Sequence, residues 1–257
     1  SQLKENSVGI IGEGVATYYD NELDVWVGTE LINIDPKSGY WVMLDEAASL
    51  YVEGIPTDPA IQYDLLEFVN LISYPFLAYA SIVETMPVYA QEFIIGIFAE
   101  GYAAINIPLQ GWSGSLVDLE GEHGYWFITS APVSFSYVPP MEGGAARKAS
   151  PIIRSVPIAY SYEQSNEQAF YFINSASIGG ETIDREDLII AYNGNAIVGS
   201  RYWEEKVTDV PAMGRGYNEN SGYCMVGDKI TFKIWDASEQ ELIDMFSDVN
   251  VEWTNNS

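Results

Sequence analysis

Apolar, β-branched and aromatic residues recur along the chain in short runs, each closed by Gly, Pro, Asn, Asp or Ser, as in Tyr40-Trp41-Val42-Met43-Leu44 and Tyr125-Trp126-Phe127-Ile128. Runs of this length with such borders read as β-strands. The pattern predicts strands over 40–44, 68–75, 125–128, 169–173, 188–192, 196–200 and 229–235. Ile82 to Phe93 is the one stretch with a helical reading. Turn chemistry falls between the runs, at Asp35-Pro36-Lys37-Ser38-Gly39 and Glu120-Gly121-Glu122-His123-Gly124, where glycine accepts positive φ. Asn193-Gly194 predicts a tight hairpin of type I′.

The pattern also repeats. Gly9-Ile10 and Glu13-Gly14-Val15-Ala16 match Gly96-Ile97 and Glu100-Gly101-Tyr102-Ala103, 87 positions on. Trp26-Val27-Gly28 matches Trp112-Ser113-Gly114 at 86, and Leu31 with Gly39-Tyr40-Trp41 matches Leu116 with Gly124-Tyr125-Trp126 at 85. Two single-residue deletions in loops account for the drift. A unit of this length exceeds solenoid repeats of about 20 to 50 residues, so it reads as a small domain duplicated.

The predicted architecture is all-β: tandem small β-sandwich or barrel-like modules, two homologous copies followed by a distinct C-terminal β-sandwich. The first copy spans 1–56 and the second 57–140; a Pro, Gly, Ala and Ser-rich linker spans 141–156, and the third module 157–257. The linker pair Arg147-Lys148 is the expected protease site. The second copy has an opening strand, Phe68 to Pro75, that the first copy lacks. A sheet missing one strand exposes an edge, so the expectation is either a fragment of a longer polypeptide or a strand donated by a neighbouring subunit.

Length and composition support several modest cores: 257 residues exceed one domain of about 100 to 200 residues, and 47% of them are apolar. The 37 acidic residues against 11 basic give a net charge of -26, dispersed along the chain. Phosphate backbones and anionic lipid surfaces both call for clustered Lys and Arg, so neither nucleic acid nor a membrane surface is the expected partner. No run approaches the roughly eighteen apolar residues of a spanning helix. The dispersed acidity reads as a solvated face. A calcium site is the competing reading, with Asp184, Glu186, Asp187, Asn193 and Asn195 as hard oxygen ligands, though EF-hand spacing is absent.

Catalytic chemistry finds few parts. His123 is the sole histidine, and Ser38 takes its place in the first copy, which makes it a turn residue. Gly111-Trp112-Ser113-Gly114-Ser115 is not a nucleophile elbow, because its second glycine comes one place early. One Cys and one His cannot complete a zinc site. Gly12-Glu13-Gly14 lacks the lysine of a phosphate loop, and Cys224 reads as an inert buried thiol. Carboxylate pairs are plentiful, so a glycosidase is disfavoured without being excluded by count. No catalytic, cofactor or metal residue is therefore assigned. Trp41 and Trp126 are expected in cores and Trp26 and Trp112 in more open positions; Trp112 with Arg201, Tyr202 and Trp203 forms the expected contact patch.

The stretches Asn70-Leu71-Ile72-Ser73-Tyr74-Pro75, Glu100-Gly101-Tyr102-Ala103, Trp112-Ser113-Gly114-Ser115-Leu116 and Gly124-Tyr125-Trp126 resemble a repeated module of large secreted proteins of marine bacteria. Gln168-Ala169-Phe170-Tyr171-Phe172, Ile189-Ile190-Ala191-Tyr192-Asn193-Gly194, Val198-Gly199-Ser200-Arg201-Tyr202-Trp203 and Asp209-Val210-Pro211-Ala212-Met213-Gly214 resemble a domain common in the same proteins. Similar domains occur in virion structural proteins of marine tailed phages. The resemblance implies a non-enzymatic structural or assembly component of an extracellular or virion surface, with copies of itself or other subunits as partners. The alternative is a carbohydrate-binding adhesion module of a secreted bacterial protein, with glycans as ligands.

Overall fold

A computed structural model describes residues 7–28, 34–49, 54–55, 57–140, 154–216, 222–247 and 251–256. Arg147, Lys148 and the linker from 141 to 153 lie outside the described residues. The fold is all-β, with antiparallel pairing between the named strands. Contacts divide the chain into two units, Ser1–Ile97 with Asp118–Ala149, and Phe98–Val117 with Ser150–Ser257.

The first unit opens with β1 (Ser7–Gly12), β2 (Val15–Asp20), β3 (Val25–Gly28) and β4 (Trp41–Leu44), in sheet order β3-β2-β1-β4. Next come β5 (Tyr63–Leu65), β6 (Phe68–Ser73), β7 (Ala80–Ser81), α1 (Ile82–Thr85), α2 (Val88–Gln91) and β8 (Ile94–Ala99), whose last two residues count with the second unit. The chain then forms β9 (Tyr102–Ile107) and β10 (Gly111–Gly114) in the second unit. It returns for β11 (Asp118–Leu119), β12 (Gly124–Thr129) and β13 (Val133–Phe135). Strands β8, β12 and β6 lie side by side in that order, while β5 pairs with β13 and β7 with β11.

The helical reading of 82–93 resolves into two short turns because Pro87 has no N–H and pushes Met86 into an extended conformation. The core beneath β12 is aromatic. Tyr63, Phe135 and Tyr137 pack at centroid distances of 5.0 to 5.9 Å, and Phe127 and Tyr74 join them. Such offset and edge-to-face arrangements add about 0.5–1.5 kcal/mol per pair to the burial itself.

The second unit holds β14 (Gln168–Ile173), β15 (Ser177–Ile178), β16 (Glu181–Thr182), β17 (Leu188–Asn193), β18 (Ala196–Tyr202), β19 (Thr208–Met213), β20 (Ile230–Asp236) and β21 (Glu241–Met245). Four of them form a sheet in the order β18-β17-β20-β21, and β14 pairs with β19. Ile189 and Ala191 of β17, Phe232 and Ile234 of β20, and Ala169, Val210 and Ala212 of the β14–β19 pair meet in one core with Trp203 and Trp253. Leu188, Ile190 and Tyr192 pack on the other face of β17 against Tyr160, Tyr202 and Trp235, which explains the unbroken apolar run of this strand.

Two local expectations change, and one strand adds to those expected. The β17–β18 loop is Gly194-Asn195, since Asn193 pairs with Ala196, and only Gly194 has positive φ, at 58°. Positive φ at the first loop residue alone is the II′ pattern and not I′. Segment 208–213 is a fully buried strand despite Pro211. Trp126 is half-buried beside Tyr125 and Phe127, which fill the core, and Trp41 is half-buried as well.

The matched segments share backbone detail. In β2–β3 Thr17 faces Gly28 and Asp20 faces Val25; in β9–β10 Ala104 faces Gly114 and Ile107 faces Gly111. These are the pairs obtained by moving β2 by 87 positions and β3 by 86. Gly28 and Gly114 take φ of 137° and 136°, and a Cβ at either would lie 2.4 or 2.2 Å from the carbonyl oxygen of Ala16 or Ala103. No other residue fits there. The Asp35 N–H donates to the Tyr40 hydroxyl, as the Glu120 N–H does to that of Tyr125.

Candidate functional site

A buried polar centre lies inside the second unit. Asp209, on β19, is fully buried, and Arg201 on β18 reaches it with Nη2 3.1 Å from Oδ2 while Nε donates to the Asp209 carbonyl at 2.9 Å. The Ser115 N–H donates to Oδ1 at 2.7 Å and its hydroxyl to Oδ2 at 2.6 Å. The same Arg201 nitrogen donates to the Gly101 carbonyl at 2.7 Å. Gln168 completes the set, accepting from the Gly101 N–H at 3.1 Å and donating to the Ala99 carbonyl at 2.8 Å.

Burial pushes the Asp209 carboxyl above its ordinary range, and Arg201 and the Ser115 hydrogen bonds act against that rise. Both carboxylate oxygens are engaged, so the centre works as a clamp on the Gly101 turn and on Ser115.

This placement redraws the expected contact patch. Trp203 is 3% exposed and belongs to the core. The Arg201 side chain is 15% exposed and turned inward. Tyr202, on the opposite face, is half-buried with the Arg154 guanidinium 4.0 Å above its ring, and Trp112 on β10 is half-buried. Strand alternation is the reason, because consecutive residues 201, 202 and 203 cannot share one face. The four residues do not form one open surface.

The oxygen-rich turn of the calcium reading is engaged internally. Asp187 accepts from the N–H groups of Asp184 and Ala237, Asp184 from that of Glu186, and Glu186 pairs with Arg154. The Asn193 amide donates to Gly222 and Asp228. Among the described residues no three His, Cys, Asp or Glu side chains group as metal ligands. His123 is exposed, with Nδ1 2.8 Å from the Gly121 carbonyl oxygen. Cys224 is buried, and burial pushes its thiol up to about 12.

The first unit holds the other candidate, a sheet edge. Among the described residues β4 has β1 on one side and no strand on the other. Its counterpart in the repeat, β12, is flanked on that side by β6, with Tyr125 opposite Ile72, Trp126 opposite Leu71 and Phe127 opposite Asn70. The difference shows in burial. Phe127 is fully covered, whereas Val42, 85 positions earlier, is 42% exposed, and Leu44 is 41% exposed where Thr129 is buried. Tyr18 and Val25 of the same sheet are also exposed.

Beside this edge the segment Lys37–Gly39 runs against β6: the Gly39 N–H donates to Leu71 at 3.0 Å, the Ser73 N–H to Lys37 at 3.0 Å, and the Leu71 N–H to the Glu13 carboxylate at 3.0 Å. Glu13, Asp35, Lys37, Tyr63 and Asp64 line a cleft of about 190 Å³ here. Small-molecule sites usually exceed about 300 Å³. Hydrogen bonds from Ser134 and Gln62 hold the Asp64 carboxyl below its ordinary range.

The clamp carries no signature in the sequence, and the β4 edge is pointed to only by the repeat, in which β12 is covered. Compared with protein-family models, with curated proteins and with solved structures, the chain matches none.

Proposed function

We propose that the chain is a non-enzymatic structural or assembly component of an extracellular or virion surface, of the fibre, decoration or filament type. The observation that carries this reading is the outer edge of β4, which no strand among the described residues covers, with Val42 and Leu44 exposed at positions covered in the repeat. An exposed edge with apolar side chains is costly for an isolated protein unless another chain covers it. The buried centre supports the same role: Arg201 and Asp209 are consumed in holding backbone, which favours rigidity over chemistry. Partners on this reading are copies of the chain or other subunits.

The test is size-exclusion chromatography with multi-angle light scattering across a concentration series, followed by electron microscopy. Ordered homopolymers, or copurification with particles, are expected. A monomer at every concentration that instead binds a glycan would overturn the proposal in favour of adhesion.

A further inference from the structure

We infer that the aromatic core of the first unit holds an ordered internal water molecule, hydrogen-bonded to the hydroxyls of Tyr137 and Tyr74. Such a water is independent of how the chain associates with partners.

Both hydroxyls are wholly buried, and neither makes a hydrogen bond of ordinary length and angle within the described residues. Their rings meet edge to face at a centroid distance of 5.3 Å, and the Tyr63 ring closes on Tyr137 at 5.1 Å. Buried phenols are hydrogen-bonded in most proteins, because the bonds to solvent given up on folding have to be replaced.

The neighbouring hydroxyls are largely committed elsewhere. Tyr63 lies 3.1 Å from the Ser73 hydroxyl, which itself donates to the Pro36 carbonyl at 2.6 Å. The Thr85 hydroxyl lies beside Tyr74 and donates to the Val138 carbonyl at 3.3 Å. Tyr125 accepts from the Glu120 N–H at 2.7 Å, but its own proton reaches the Glu120 carbonyl only at 3.4 Å. That is long for an O–H donor and leaves the proton for a better acceptor.

A water supplies what this set lacks. Internal waters typically make about three hydrogen bonds to otherwise unsatisfied groups, whereas dry cavities are lined by apolar side chains. Tyr137, Tyr74 and the Tyr125 proton provide those three. The electrostatics place the groups together: the Tyr137 hydroxyl is pushed well above its ordinary range by burial first, and then by Tyr63, Tyr125 and Tyr74.

The experiment uses the full chain and its Tyr74→Phe and Tyr137→Phe variants, singly and combined, since phenylalanine keeps the ring packing. Magnetic relaxation dispersion of the water oxygen counts long-lived internal waters, and the double variant is expected to hold fewer than the unmodified chain. In thermal melts each single variant is expected to lower the midpoint. The double variant is expected to lower it by less than the sum, because the two hydroxyls share a partner. An unchanged water count overturns the inference, as does a midpoint raised by Tyr137→Phe, the result of deleting an orphaned hydroxyl. Electron density of the unmodified chain needs no variant: an ordered water within hydrogen-bond reach of both hydroxyls is expected, and a direct bond between them overturns the inference.

Discussion

Gly39 and Gly124, equivalent positions in the two matched segments, lie against each other in the first unit. A Cβ on Gly39 would fall 3.1 Å from the Gly124 Cα and 2.8 Å from Leu71 Cδ1, and a Cβ on Gly124 would fall 2.9 Å from the Gly39 Cα. The contact is backbone on backbone, and neither side can yield by turning a side chain. Gly39→Ala is expected to destabilise the first unit by about 1–3 kcal/mol, the usual range for overpacking. Thermal melts followed by hydrogen exchange in β6 check this; unchanged stability would mean that the two segments separate at little cost.

The clamp around Asp209 predicts strong coupling. Asp209→Asn removes the charge that Arg201 faces, and breaking one partner of a buried pair costs about 3–5 kcal/mol. Arg201→Met should be comparably harmful. The double variant Arg201→Met with Asp209→Asn is expected to lose less than the sum of the two single changes, because no charge is left unpaired. Chemical unfolding followed by near-ultraviolet circular dichroism measures the cycle, and simple additivity would show that the pair is not coupled.

Cys224 predicts a pH effect. Its thiol is pushed up to about 12 by burial in the folded state, against an ordinary value of 9.0. The unfolded chain therefore loses this proton first, and stability falls as pH rises from near the ordinary value toward the raised one. Cys224→Ala should remove that part of the alkaline decline while creating a cavity at every pH. A thiol reagent near pH 8 is expected to leave the native thiol unmodified and to titrate it fully in denaturant.

Much of the strand content was legible because short β-branched and aromatic runs bounded by turn residues mark segments such as Leu188–Tyr192 and Gly124–Thr129. What remained hidden has physical causes. Pro211 argues against a strand, yet 208–213 is one, paired with β14 throughout. Strands apolar on both faces carry no parity signal, so Trp126 reads as core while Tyr125 and Phe127 fill it. Arg201 read as a surface contact because a cation between Ser200 and Tyr202 gives no hint of a buried carboxylate eight residues later.

The turn that closes β2–β3 contains Asn21 to Asp24, and the turn that closes β9–β10 contains Pro108 to Gln110, one residue fewer. A residue lost inside either strand would have turned every following side chain to the wrong face. Lost in the turn, it left the ladder intact. These turns are thus length-tolerant joints, and they are where an epitope, fluorophore or crosslinking tag can be inserted without disturbing the pairing on either side.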